Sequence, residues 1–378
     1  YHALSDDRSQ VNAARFYTLT IDLSDGRLDA GDVVFTGVTT LLGRDGEPFA
    51  EGSVDPEGIA LTKSPNTLYI ASEGDTAAGV PPFVNTFALD GREQAALAVP
   101  AKFLPDAGRT QGVRNNLAFE SLTISPDGRH LFTANENALV QDGPEATLDA
   151  GSPVRIVKFD TASGKPVAEY LYRTHPIAMA PVVPFAPAGN GLTELLAVDN
   201  LGTLLALERS YSAGHGTTAR LFAVETQGAA DIAAMEALAG SDGVPALDKR
   251  LVFDFSALGI PIDNLEAMTF GPPLADGRPT LIVVSDNNFN PEQFTQVLAF
   301  AIENGVERPA GPEPGDTAAA TPAALPEAAG SGDEGCLPGY DGAVPGAVAG
   351  EVPLAAAVGP TAESGAAPEA AAAADFLL

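Results

Sequence analysis

Acidic residues open and close four short segments of this chain at spacings that could hold a cation or a shared proton. The segments are "PEGIALTKSPNTLYIASE" (Glu57 to Glu73), "FESLTISPDGRHLFTANE" (Glu120 to Glu136), "TELLAVDNLGTLLALE" (Glu194 to Glu208) and "LEAMTFGPPLADGRPTLIVVSD" (Glu266 to Asp286). The midpoint of each acidic pair falls in turn chemistry: Pro65 in "SPN", Gly128 in "PDG", Leu201 in "DNLG" and Asp276 in "ADG". Each segment therefore reads as a β-hairpin with two acids opposed at its open end, and with Leu122 facing Ala134 and Ile124 facing Phe132. Directly opposed residues have Cβ atoms about 4.5–5.5 Å apart, a distance at which like charges destabilise the pair. A cost repeated four times calls for a remedy: a proton kept by one acid, an Arg or Lys between the two, or a bound cation.

Single acids in such places can simply cap strand ends, but the set as a whole favours at least one cation. The expected ligands are Glu57, Glu73, Glu120, Glu136, Glu208, Glu266, Asp286 and Asn287, with Asn116, Asn135, Asn264 and Asn288 close by in sequence. Oxygen donors without His or Cys select Ca²⁺ or Mg²⁺ over zinc or copper, and the tolerance of Ca²⁺ for irregular loops suits it best. The chain has four His and one Cys and no C-x-x-C or H-E-x-x-H spacing, so no zinc site is expected. Arg209, directly after Glu208, and Arg114 are the cations nearest these acids; with Glu120 they are the candidate catalytic residues. Arg155 also flanks the second segment. No G-x-S-x-G elbow exists, which argues against a serine-esterase mechanism. His215 in "AGHGTT" reads as a turn residue, and Tyr170, Tyr172 and Phe185 as packing.

These acids need strands to position them. Over residues 1–305 the apolar residues come in runs of four to seven, rich in Val, Ile, Leu, Phe, Tyr and Thr, and broken by Gly, Pro, Asp and Asn. After each acidic hairpin comes a further strand ("VNTFALD", "VRIVKFD", "RLFAVE", "QVLAFAI"), and an outer one follows twice ("VAEYLYR", "KRLVFDF"). Units of four strands every 60 to 75 residues or so predict a β-propeller of five to six four-stranded blades. "YHALSD", "RFYTLTID" and "VVFTGVTTLL" supply three strands of a first blade that is truncated at its N-terminal, innermost strand. Inner strands of all blades run the same way, so the acids would gather as a ring at one end of the central channel. "AADIAAMEALAG" (229–240) reads as helical, with a further turn at "DFSALGIP".

From residue 306 the sequence becomes Ala, Pro, Gly and Glu without period, and a disordered tail or linker is expected over 306–378, after a folded domain at 1–305. Eleven acids and one Arg over 307–378 give −10, so about −20 of the net −30 belongs to the folded part. That balance repels nucleic acid and anionic membranes. No apolar run approaches 18 residues, so no membrane span is expected. Cys336, the single cysteine, lies in the tail and rules out an intrachain disulfide.

The ordered series "VDPEGIAL", "NNLAFESLTISPDG", "LLALERSYSAGHG", "DNLEAMTFGP" and "VVSDNNFNPEQFTQVLAF" resembles the esterase-like phytase domain, a bacterial family related to β-propeller phytases, from the first residue to about 303. The resemblance implies a Ca²⁺-dependent propeller, secreted or periplasmic, that hydrolyses phosphate monoesters or other esters. It also implies functional positions at Glu57, Glu120, Glu208, Arg209, Glu266, Asp286 and Asn287, with Asp6 their counterpart in the first blade. One departure stands out: propeller phytases hold phosphates with Lys and Arg, whereas this chain has only five lysines. The expected partner is a small phosphate or ester, and the expected state a monomer. The alternative is a non-catalytic propeller, stabilised by calcium, that serves as an extracytoplasmic binding module.

Overall fold

The computed structural model describes residues 1–63, 66–240 and 243–303, and the backbone of Ala355–Ala356. Pro65, at the expected turn of the first acidic segment, and the tail apart from Ala355–Ala356 lie outside the described residues. Five sheets form, each with its strands hydrogen-bonded in chain order. The first holds β1 (His2–Leu4), β2 (Arg15–Ile21) and β3 (Val33–Thr40). The second holds β4 (Pro56–Lys63), β5 (Asn66–Ser72), β6 (Phe83–Phe87) and β7 (Glu93–Ala96). The third holds β8 (Phe119–Ile124), β9 (His130–Asn135), β10 (Pro153–Asp160) and β11 (Lys165–Arg173). The fourth holds β12 (Ala188–Ala197), β13 (Thr203–Ser212), β14 (Gly216–Glu225) and β15 (Lys249–Asp254). The fifth holds β16 (Asn264–Gly271), β17 (Thr280–Asp286), β18 (Val297–Ala301) and β19 (Ala355–Ala356), the last joined in parallel through Phe300. Among the described residues there is no α-helix.

The sheets are the five blades of a propeller. Inner strands touch in succession, β4 with β8, β8 with β12 and β12 with β16, and β1 lies against β4. As the sequence predicts, the first blade lacks an innermost strand among the described residues. Apolar clusters sit between neighbouring blades, because each sheet buries both faces. Phe119, Leu122, Leu131 and Val157 of the third blade meet Ala60, Tyr69, Ala71 and Val84 of the second. Phe16 and Leu19 of the first share a cluster with Ile70 of the second and Ile282 of the fifth, which closes the ring. β17, buried along its whole length, is accordingly a continuous apolar run rather than an alternating one.

The hairpins form where their turns predict, with Gly128 at φ +74° accepting a backbone conformation that side chains disfavour. Their register differs from the expectation by one residue. Phe119 pairs with Asn135 but Ser121 pairs with Ala134, leaving Glu120 as the extra residue of a β-bulge. Beyond it, Leu122 faces Thr133 and Ile124 faces Leu131, not Ala134 and Phe132. Glu57 and Glu266 are the extra residues in the second and fifth blades, and Thr193 holds that position in the fourth. Opposed acid pairs are therefore replaced by staggered ones.

Residues 229–240 are not helical. Their carbonyls are drawn away from a helix ladder: Lys102 Nζ donates to the carbonyls of Ala233 (2.5 Å) and Met235 (3.1 Å), while Ile232 and Leu238 pack on Leu171. The turn at "DFSALGIP" is a 3₁₀-helix over Phe255–Leu258, capped by the Asp254 side chain and ended by Gly259 at φ +65°.

Gly58, one residue past its bulge, shows how closely the inner strands approach. A Cβ there would lie 2.6 Å from Leu122 Cβ and 2.9 Å from Leu122 N on the next blade. Gly58→Ala is expected to lower stability by about 1–3 kcal/mol through overpacking. Urea unfolding should report this as a lower midpoint at unchanged m-value.

Candidate functional site

The bulges of the second, third and fifth blades bring Glu57, Glu120 and Glu266 to one mouth of the channel, whereas Thr193 in the fourth donates to the carbonyls of Leu207 and Leu265, and the second strand of each blade supplies a neighbour. Glu73 N bonds Asp55 O and Glu136 N bonds Ala118 O, so both acids stand level with the residue two before the bulge. Arg209 pairs with Gly191 and Asp286 with Asn264 at the same level. Glu73, Glu136, Arg209 and Asp286 are thus equivalent positions in four blades, and Asp6, following β1 as Glu73 follows β5, is the fifth. A cavity of about 780 Å³ opens here, lined among others by Asp6, Arg8, Glu57, Glu120, Glu136, Arg209 and Glu266.

Two guanidiniums sit among these carboxylates. Arg209 is held by Glu136 (2.9 Å), Glu266 and Asn264, and its side chain is largely buried. Arg8 Nη2 lies 2.5 Å from Asp55 Oδ2 and donates to Asn116 Oδ1 at 2.5 Å. Glu73 accepts from the backbone N–H of Ala118. Asp6, Asp55 and Glu57 each offer a carboxylate oxygen within 4.8 Å of the others. Asp55 is 1% exposed, and neither of its oxygens receives an aligned hydrogen bond, its contact with Arg8 being an ion pair only. An all-oxygen donor set with unsatisfied buried carboxylate oxygens has the chemistry a hard divalent cation requires.

Electrostatics point the same way. Burial, with repulsion from Asp6, pushes Asp55 up to about 7 against the pull of Arg8. Burial lifts Glu57 well above the ordinary carboxylate range, with Asp6, Glu120, Asp55 and Glu73 adding to it. Glu73 and Glu120 rise for the same reason, first by burial and then by their acidic neighbours. Burial raises Glu136 and pushes Glu266 up to about 7 in spite of Arg209. The Arg209 guanidinium, although buried, is held above its ordinary value by Glu266, Glu136 and Glu120.

Several expected residues stand elsewhere. Glu208 points to the opposite side of β13 from Arg209 and is saturated there. It accepts from Tyr172 Oη (2.6 Å), His175 N (2.9 Å), Asn190 Nδ2 (3.3 Å) and Lys249 Nζ, with His175 Nδ1 at 3.1 Å. Glu194 does not pair with Glu208; it accepts from the backbone N–H of Leu122 (3.2 Å) and Leu195 (2.7 Å), tying two inner strands together. Arg114 is away from the cavity lining, donating to the carbonyls of Ala138 (3.0 Å) and Gly143 (2.7 Å). Asn287 accepts from Phe289 N (3.0 Å) and shapes a turn. Asp286 accepts from Asn288 N through Oδ2, and its buried Oδ1 has no partner. Asp55 and Arg8 were not singled out by the sequence. The available signal was "DPE", in which the bulge brings Asp55 and Glu57 to one side.

Sheets in a ring, with bulged inner strands presenting acids at one mouth, define a β-propeller with a polar site on its axis. Within that class the chain belongs to the phytase-like family described as "Esterase-like activity of phytase", whose model matches residues 1–289. No curated protein matches the sequence. Among solved structures, the Dos1 propeller is 9% identical over 72% of this chain, with a TM-score of 0.30, and the chain spans 61% of its length. The periplasmic gluconolactonase of Pseudomonas aeruginosa is 15% identical, with 76% of this chain and 77% of that one covered and a TM-score of 0.29. The endo-arabinase of Bacteroides thetaiotaomicron is 11% identical, with 81% and 96% covered and a TM-score of 0.40. At these values the structural likenesses carry nothing about activity.

Two carboxylates give the stability of the cation-free protein opposite pH slopes. Burial alone would raise Glu208, but His175, Lys249 and Tyr172 outweigh it and pull it down to about 2. Its contribution is present above the unfolded value near 4.5 and is lost as pH falls through about 2. Glu266, raised to about 7, keeps its proton longer when folded, so stability falls as pH rises from about 4.5 through 7. Each limb is worth at most about 3 kcal/mol. Glu208→Gln should flatten the acid limb and Glu266→Gln the neutral one, as read by urea unfolding across pH in the presence of chelator.

Proposed function

We propose that the protein is a Ca²⁺-dependent hydrolase of phosphate monoesters or related esters, acting at the acidic mouth of the channel. The observation that carries this reading is the close group of Asp6, Asp55 and Glu57, in which buried Asp55 has Arg8 as an ion-pair partner but no aligned hydrogen-bond donor on either oxygen. Asp6, Asp55 and Glu57 would hold the cation. When bound, it supplies a Lewis acid for an ester oxygen and a water of lowered pKa. Glu120 lines the same cavity and, raised well above the ordinary carboxylate range by burial and by Glu73, Glu136 and Glu266, is the group placed to give a proton to a leaving oxygen. Arg209, fixed by Glu136 and Glu266, directs fixed positive charge at the oxygens where negative charge develops. A secreted or periplasmic location suits a weak calcium site, because extracellular calcium modules bind in the range of roughly 10⁻⁴–10⁻³ M.

Hydrolysis of p-nitrophenyl phosphate, p-nitrophenyl acetate and phytate, with Ca²⁺ and with chelator, tests the reading. Ca²⁺ at about 100 times its Kd should stabilise the wild type by roughly 2.7 kcal/mol, and Asp55→Asn should remove most of that gain along with activity. Glu120→Gln should keep the calcium-dependent melting shift and lower kcat by about 10²–10⁴-fold. A folded, calcium-stabilised protein that turns over none of the three substrates would leave the binding-module alternative in its place.

A further inference from the structure

The loop after β17 is built in a way that neither a cation site nor a strand connection requires. Asn288 and Phe289 are consecutive non-glycine residues at φ +51° and +49°, a region costly for a bulky side chain. Three bonds hold them there: Asp286 Oδ2 accepts from Asn288 N (3.0 Å), Asn287 Oδ1 from Phe289 N (3.0 Å), and Asn287 O from Asn290 N (2.7 Å). The result is a phenyl ring that lines the cavity yet stays 40% exposed. Tyr211, 44% exposed, and Val11, 59% exposed, line the same cavity from the fourth and first blades. Backbone strain of this kind clusters at ligand clamps and active sites.

We infer that Phe289, with Tyr211 and Val11, seats the apolar or aromatic body of an ester substrate whose single anionic or polar reacting group enters the acidic mouth, and that polyphosphates are poor ligands. The inference rests on the hydrolase reading above and names its substrate class. Charge supports it. Both guanidiniums of the cavity are already engaged by carboxylates, Arg8 by Asp55 and Arg209 by Glu136 and Glu266, so the positive charge there, with one cation, suits a single anionic group rather than several phosphates. Three exposed apolar side chains on the rim are suited instead to one ring or short chain.

Calorimetric binding of phenylphosphonate and methylphosphonate to the full chain in excess Ca²⁺ separates ring from reacting group without requiring turnover. The wild type should bind phenylphosphonate about tenfold more tightly, the equivalent of one well-packed aromatic contact. Phe289→Ala should reduce that preference to about twofold or less while binding methylphosphonate as before. Phe289→Gly, which also removes the strain at φ +49°, should lose the preference while melting no lower than the wild type. Equal binding of the two phosphonates by the wild type overturns the inference, as does a preference that survives Phe289→Ala, or tighter binding of phytate than of phenylphosphonate. Turnover of phenyl and methyl phosphates at equal kcat/KM would sink the substrate class and leave the hydrolase standing, whereas absence of binding and of turnover would sink both.

Discussion

Negative charge that the protein itself does not neutralise is the constraint on which this propeller turns. Asp6, Asp55, Glu57, Glu73, Glu120, Glu136 and Glu266 converge on one end of the channel, and Arg8 and Arg209 are the cations set among them. In a low-dielectric ring such a surplus cannot persist as bare charge: protons are retained or a cation enters. Raised carboxyl pKa values around the ring are the first response, and the cation proposed at Asp6, Asp55 and Glu57 would be the second. Both follow from one arrangement of side chains.

The rest of the fold handles buried charge differently, which makes the ring specific rather than a consequence of an acidic composition. Arg155, fully buried, forms a bidentate pair with Asp142 (2.6 and 2.9 Å) and also reaches Glu169 (2.8 Å), with Lys102 at 3.2 Å from Glu169. Glu194 is satisfied by backbone N–H groups, and Glu208 by donors from three blade elements. These carboxylates knit strands and loops together. Around the axis, by contrast, acceptors outnumber donors, and Asp55 and Asp286 retain buried oxygens that accept no hydrogen bond, Asp55 having only its ion pair with Arg8.

Much of the architecture was legible in the sequence because its signals are local. Turn residues such as "PDG", short apolar runs and the acid at each strand entrance marked the blades in order, and the three strands described in the first blade could be read as such. What was not legible is the bulge. A single extra residue leaves hydrophobic patterning almost unchanged, yet it shifts pairing by one and sends Glu57, Glu120 and Glu266 to the channel mouth. Counting from the turn therefore joined Glu194 to Glu208, although the bulge of that blade falls on Thr193 and leaves Arg209 at the ring position. Residues 229–240 misled for a tertiary reason, since the Lys102 ammonium that takes their carbonyls comes from a loop more than 120 residues earlier.

Arg209 makes one copy of the repeated unit differ from the others. Four of the five equivalent positions carry an acid, Asp6, Glu73, Glu136 and Asp286, and a ring of five acids would be symmetric and merely repulsive. Arginine in the fourth blade pulls Glu136 and Glu266 toward itself and leaves Asp6, Asp55 and Glu57 as the group without enough positive charge. The ring is thereby polarised, with fixed positive charge on one side and cation-seeking oxygens on the other, and the cavity spans both. An ester group placed between them would meet opposite electrostatic demands at its two ends, a condition that a uniform ring cannot create.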